Sequence, residues 1–349
     1  MTGVQTCALP ICETDETFAL LMPTAGGPCR FGAYNLLHKI AFEQAGWKER
    51  IRIVSPDDND YFAGLPTDFQ LRLWFAMVGA DLLLAALHHV RPVEKEKGAA
   101  DEVFRRRYAE LIRLVERPRA GNLARTLREA GRGMYGIRDV VREAARELAA
   151  LADRTRDVPT VAVVGEIYVR LDPFANDFVV ERLERAGVRA RLAPFNEWIE
   201  YTAWTRKYRM RHDRLVAGET PLEIHVSSTL QEAALDHLYD EVAGVLGWPR
   251  RTRVPEAVHA GRRYVSEDLL GEAILTVGGP IHEYVQGEID GVVSVGPLEC
   301  MPNKIAESHF LHAAQDTGLP SLTLALNGDP LDDRSIEDFV FEVRERAAR

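Results

Sequence analysis

"GVVSVGPLECMPNK", residues 291–304, decides how the chain is read. It is β-branched up to Val295, then meets a Gly-Pro turn, a cysteine and a run of helical composition. A short apolar run stopped by turn residues reads as a buried parallel strand feeding a helix. "FALLMPTAGGPCRFG", residues 18–32, repeats that design. Cys29 and Cys300 then each lie past the carboxyl end of a parallel strand, close to a helix N-terminus. Open α/β sheets bind ligands there, and the partial positive charge of the helix end favours thiolate over thiol.

Working outward, Tyr34, Leu37, Ile40 and Ala41 repeat at helical spacing, Gly46 ends the pattern, and "IRIVSP" (Ile51–Pro56) reads as a second strand, which makes a βαβ unit. The next hundred residues are helical in pattern. "LRLWFAMVGADLLLAALHHV" (71–90) is apolar on most sides, while 101–117 and 137–151 carry one apolar face each, separated by "ERPRAGN" (Glu116–Asn122). A second α/β segment opens with a strand at Val158–Val164. Asp172-Pro173 offers an N-cap for a helix reaching Ala186, and Val188–Leu192 is the next strand. A mostly helical excursion from about Asn196 to Tyr284 precedes the strand at 291–295, a helix through Asp316, a strand at Ser321–Leu326 and a last helix capped by Ser335. The expected fold is therefore α/β: two Rossmann-like or flavodoxin-like parallel-sheet lobes, 13–64 (a partial lobe) and 157–349, with a helical region at 65–156 between them. If the two sheet edges face each other, both thiolates meet in one interdomain cleft.

The formal net charge of −10, from 43 Lys/Arg and 53 Asp/Glu, argues against a general nucleic-acid binder. Arg91–Asp157 holds 17 basic and 12 acidic residues, a local +5 that leaves −15 elsewhere. Solvated helix faces are the plain reading; the sharper one is a basic cover over a nucleotide or coenzyme A. No run of about 18 apolar residues suggests a membrane span. The P-loop, the strand-linked G-x-G-x-x-G and the G-x-S-x-G elbow are all missing from the sequence. Thr2–Ile11 is the translation of ACTGGAGTTCAGACGTGTGCTCTTCCGATC, a common sequencing-adapter string, so residues 1–12 are expected to be an artefactual leader. On that reading Cys7 is not native, Cys12 sits at the junction, and the natural protein begins further upstream. Two credible cysteines make no disulfide framework, and a reducing cytoplasm is the expected compartment.

Two thiolates in a cleft suit a redox pair, a zinc site or an iron–sulfur cluster. His309 and His312 share a face of the helix after Cys300 and are the candidate zinc partners. His88 and His89 close a helix, where partly charged imidazoles would favour the dipole. In "GEIYVRLDPFAND" (165–177), Glu166, Tyr168 and Arg170 alternate, so an extended loop would aim them to one side, with Arg170 able to grip a phosphate or carboxylate bidentately. A surface ion-pair cluster would use the same residue types.

"MPTAGGPCRFGAYN", "RPVEKEKGAAD", "VGEIYVRLDPFAND" and "VGPLECMPNKIAES" together resemble the bacterial proteins related to activators of 2-hydroxyacyl-CoA dehydratases. The resemblance spans everything after the leader, in the same motif order. It implies a [4Fe–4S] cluster with Cys29 and Cys300 as ligands, and a third ligand from a Glu-Cys-x-Pro stretch upstream of the region present. Arg30, Tyr34, Glu166, Tyr168, Arg170 and Asn176 are the candidate cofactor-binding residues. An ATP-hydrolysing, actin-like activator module or subunit would be the electron-donating partner, and an acyl-CoA the substrate. In better-understood relatives one low-potential electron passes through the cluster to the thioester, and a ketyl radical eases loss of an unactivated hydroxyl. Ala33 departs from the family pattern, where glutamine is usual. Beside this stand a zinc-dependent enzyme or zinc-stabilised module using the same cysteines, and a non-enzymatic interaction module.

Overall fold

The computed structural model describes residues 16–56, 65–116, 123–212 and 220–348, and the chain divides into two units, 1–64 and 65–349. Residues 1–12, with Cys7 and Cys12, lie outside the described residues. In the first unit β1 (Phe18–Leu21) and β2 (Ile51–Val54) pair in parallel, Phe18 opposite Ile51 and Leu21 opposite Val54, and α1 (Phe31–Gln44) connects them. Ile51 is buried, while Leu21 and Val54 on the opposite sheet face are exposed, and no residue of α1 is fully buried.

The second unit opens with helices. α2 (Thr67–Val90) is apolar around most of its circumference and forms the middle of a bundle with α3 (Ala99–Glu116), α4 (Leu123–Gly131) and α5 (Ile137–Leu151). α5 buries Ile137, Val140, Val141, Ala144 and Leu148, the face its spacing predicts. Thr67–Val93 is the one segment among the described residues long and apolar enough to cross a membrane by length and composition, yet 61% of its apolar window is buried inside the fold. Two of its polar side chains bond to neighbouring helices and turns: the Arg72 guanidinium donates to the Val115 carbonyl at the end of α3 (2.9 Å), and Asp68 accepts from Tyr135 (3.2 Å). A buried guanidinium on a helix C-terminus meets partial negative charge, which offsets part of its desolvation.

The α/β part follows: β3 (Thr160–Gly165), α6 (Ile167–Leu171), α7 (Val179–Ala186), β4 (Arg189–Leu192), α8 (Asn196–Arg211), α9 (Pro221–Leu246), α10 (Val254–Gly261), α11 (Ala273–Val285), β5 (Gly291–Pro297), α12 (Met301–Thr317), β6 (Ser321–Leu326) and α13 (Asp333–Ala347). The four strands are parallel in the order β4-β3-β5-β6. Every residue of β3 is buried, whereas the edge strand β4 alternates. The reason is two-sided cover: α10, α11 and α12 pack on one face around Ala162, Val164 and Val292, and α7 and α13 on the other around Val161, Val163 and Val295. Near-continuous valine in the middle strands is what such burial demands. The architecture is thus mixed α/β with parallel sheets. The last helix is capped by Asp332, whose carboxylate accepts from the Arg334 N–H, and not by Ser335.

Bundle and sheet are joined by buried polar bonds. Asp81 of α2 accepts from the N–H groups of Phe195 (3.1 Å) and Asn196 (2.8 Å), so one helix caps another from the side. Arg91 binds Glu184 of α7 at 2.6 Å. Arg189 donates to the His89 carbonyl (3.0 Å), so the end of α2 is closed by an arginine. Their position at a helix end predicts partial charge on His88 and His89. Burial instead pushes both imidazoles down to about 3, so they are neutral, because desolvation outweighs what a helix dipole returns.

Gly165 ends β3 at φ +117°, and a Cβ there would lie 1.9 Å from the Val295 carbonyl oxygen. Gly165→Ala is expected to cost more than about 3 kcal/mol, from backbone strain plus a displaced central strand pair. Urea unfolding measures it, and a loss under about 1 kcal/mol would contradict this packing.

Candidate functional site at the carboxyl edge of the sheet

The chain leaves β3 toward β4 on one side and reaches β5 on the other, so the carboxyl ends of β3 and β5 form a switch point. Past Gly165, the Glu166 N–H donates to the Val295 carbonyl (2.9 Å), and the Glu166 carboxylate accepts from the Val169 N–H (2.8 Å). That cap turns Ile167–Leu171 into a helix. The expected extended loop is corrected here: within a helical turn Tyr168 points away from the side of Glu166 and Arg170, and it is exposed while Arg170 is buried. Asp172 ends α6 and accepts from the N–H groups of Phe174 (2.9 Å) and Ala175 (3.1 Å), instead of capping a helix to Ala186. The left-handed backbone at Asp177 and Phe178 keeps α6 and α7 apart.

Arg170 is 4% exposed, and its guanidinium donates to the carbonyls of Gly165 and Pro194, both at 3.0 Å. Its fork is turned inward, onto the turns after β3 and β4. Asn176 is buried too: its amide donates to the Val169 (2.9 Å) and Arg170 (3.2 Å) carbonyls and accepts from the Val179 N–H (3.1 Å), tying the end of α6 to the start of α7. Tyr168 is exposed, with its hydroxyl donating to Asp172 at 2.8 Å.

Around Arg170 the fold gathers carboxyl groups from distant stretches of the sequence. Glu197 stands 3.9 Å from the guanidinium. Burial pushes Asp81 up to about 6 and Glu272 up to about 7, and it raises Glu197, while Arg170 pulls against the shift in each. Carboxyls of this kind can hold or release a proton at neutral pH. The available signal was a lone acid inside an apolar run, Asp81 in "VGADLLL" and Glu272 in "LLGEAILT".

Cys300 occupies the N-cap position of α12 and is half-buried, its N–H donating to the Pro297 carbonyl (3.0 Å) and its carbonyl accepting from the Lys304 N–H (2.9 Å). Cys29 directly precedes Arg30, the N-cap residue of α1, in the first unit, and is likewise half-buried, with Arg30 and Tyr34 exposed beside it. His309 and His312 face one another on α12 with ring centroids 6.3 Å apart. Helical rise carries His309 about 14 Å along the axis from Cys300, too far to share a zinc ion with ligand bonds of about 2.0–2.3 Å. The zinc set of Cys300 with these histidines is therefore corrected. Among the described residues no group of three or more His, Cys, Asp or Glu is arranged to hold a metal ion. Comparison with protein-family models, with curated proteins and with solved structures found no match.

Asp81 and Glu272 hold protons more tightly folded than unfolded, where 3.8 and 4.5 apply. The stability each contributes is present at low pH and is lost as pH rises toward its folded value, while His88 and His89 act in the opposite sense up to about 6.5. Glu272→Gln isolates one group. The variant should gain on the parent by more than about 1 kcal/mol between pH 5 and pH 8 in urea titrations, and a pH-independent difference would refute the assignment.

Proposed function

We propose that this chain is an iron–sulfur redox protein of the 2-hydroxyacyl-CoA dehydratase type, built from two Rossmann-like or flavodoxin-like lobes with a helical region between them. On this reading Cys29 and Cys300 are ligands of a [4Fe–4S] cluster. An ATP-hydrolysing, actin-like partner supplies low-potential electrons, and the protein acts on, or relays to, an acyl-CoA-like substrate in the cytoplasm. The observation that carries the reading is a repeated placement: β1 leads through Cys29 into α1, and β5 leads through Cys300 into α12. In both units the thiol stands between the end of a parallel strand and the start of a helix.

The donors fit such a cluster in kind, since its irons take thiolates, but two cysteines fall short of the usual three or four. When bound, the cluster would supply one-electron transfer. The chain's own share is narrower. The N-terminus of α12 favours the Cys300 thiolate, and Asp81 and Glu272 keep protons available near Arg170. Arg170 and Asn176, their polar groups spent on the main chain, serve this site by shaping the turn after β3. Zinc held by the same cysteines is the second reading, without His309 and His312.

Iron, zinc and acid-labile sulfide, measured after anaerobic purification, test the proposal. Iron and sulfide near 1:1 with absorption near ~400 nm are expected, and serine at Cys29 or Cys300 should remove at least half of the iron. Zinc alone, no metal at all, or iron indifferent to both serines would each overturn it.

A further inference from the structure

The turn that carries Cys300 is pinned from below by a buried polar relay. Ser294 in β5 and Asn303 in α12 are each 1% exposed. The Ser294 hydroxyl donates to the Asn303 carbonyl oxygen (3.1 Å), and the Asn303 amide donates to Glu307 (2.8 Å), which pairs with Lys304 at 2.6 Å. Asn303 lies directly under the strand's end: a Cβ on Gly296 would come within 2.3 Å of its side-chain nitrogen. Above it, the Leu298 N–H donates to the Leu326 carbonyl of β6 (3.0 Å), and the Cys300 N–H to Pro297. Residues 297–300 therefore span two fixed anchors, strand β5 behind and Asn303 ahead.

We propose that Asn303 is the positioning residue for Cys300, setting the direction of its sulfur by clamping the first turn of α12 onto β5. The role of Cys300 rests on the reading given under Proposed function; the clamp rests on the relay. Only a side chain that accepts from Ser294 and donates to Glu307 completes the relay as it stands, and a residue of the same shape that cannot donate breaks it. Asn303→Asp sets a buried carboxylate against Glu307, whereas Asn303→Asp combined with Glu307→Gln reverses donor and acceptor and restores the bond.

The test is the rate at which iodoacetamide modifies Cys300 in the full chain at fixed pH, read by peptide mass spectrometry. Asn303→Asp and Asn303→Ala should change it by about fivefold or more, the size of one lost hydrogen bond. The double variant should return to within about twofold of the parent, and Cys29, in the other unit, should keep its rate throughout. Unchanged Cys300 rates, no recovery in the double variant, or a parallel rise at Cys29 would each overturn the proposal. Iron content separates this idea from the cluster reading. Iron missing from the parent sinks the cluster while alkylation still decides the clamp, and equal iron in parent and Asn303→Asp sinks the clamp alone.

Discussion

At Gly165 the backbones of β3 and β5 run so close that any side chain would overlap the Val295 carbonyl, and the left-handed φ of +117° is one that glycine alone adopts freely. Everything at the carboxyl edge depends on that approach. It lets the Glu166 N–H reach Val295, which starts α6 immediately after the strand. With α6 started there, Arg170 falls where it can bind the carbonyls of Gly165 and Pro194, and so holds the turn after β4 to the turn after β3. A residue with a Cβ at 165 would move the whole set.

The guanidinium placed this way sits among acids it does not fully neutralise. Glu197 is its nearest carboxylate, while Asp81 spends both oxygens on the N-terminus of α8 and Glu272 lies further off. Burial and Arg170 compete, and for Asp81 and Glu272 burial is the larger effect. Charge that cannot be paired in a low-dielectric region is shed as a bound proton. The capping bond of Asp81 and its raised proton affinity are two consequences of the same position, at the seam where the helical bundle meets the sheet.

The sheet was legible because valine-rich runs ended by glycine or proline have few other uses, and α5 because Ile137, Val140, Val141, Ala144 and Leu148 recur at its period. The loop after β3 was misread for a local reason. Asp172-Pro173 has the composition of a helix start, but Asn176 bonds across that break in both directions and Glu166 caps one turn earlier. Those bonds need the strand's exit direction, which periodicity does not encode. His88 and His89 failed similarly, since position in a helix was visible and depth of burial was not. Both cysteines were legible as strand-to-helix residues; the relay beneath one of them was hidden, because Ser294 and Asn303 look like an ordinary strand serine and helix asparagine until β5 and α12 meet.

That relay also explains why polar residues are present in an otherwise apolar layer. Replacing Ser294 and Asn303 by apolar groups of like shape would leave burial intact and, by hydrogen-bond bookkeeping, cost little stability. It would also leave α12 free to slide along β5, because dispersion contacts between Ala306, Phe310 and the sheet carry no directional preference. A bond between two buried side chains does carry one. The polar pair in the packed core thus contributes less to whether the fold forms than to where the first turn of α12, and with it Cys300, is held.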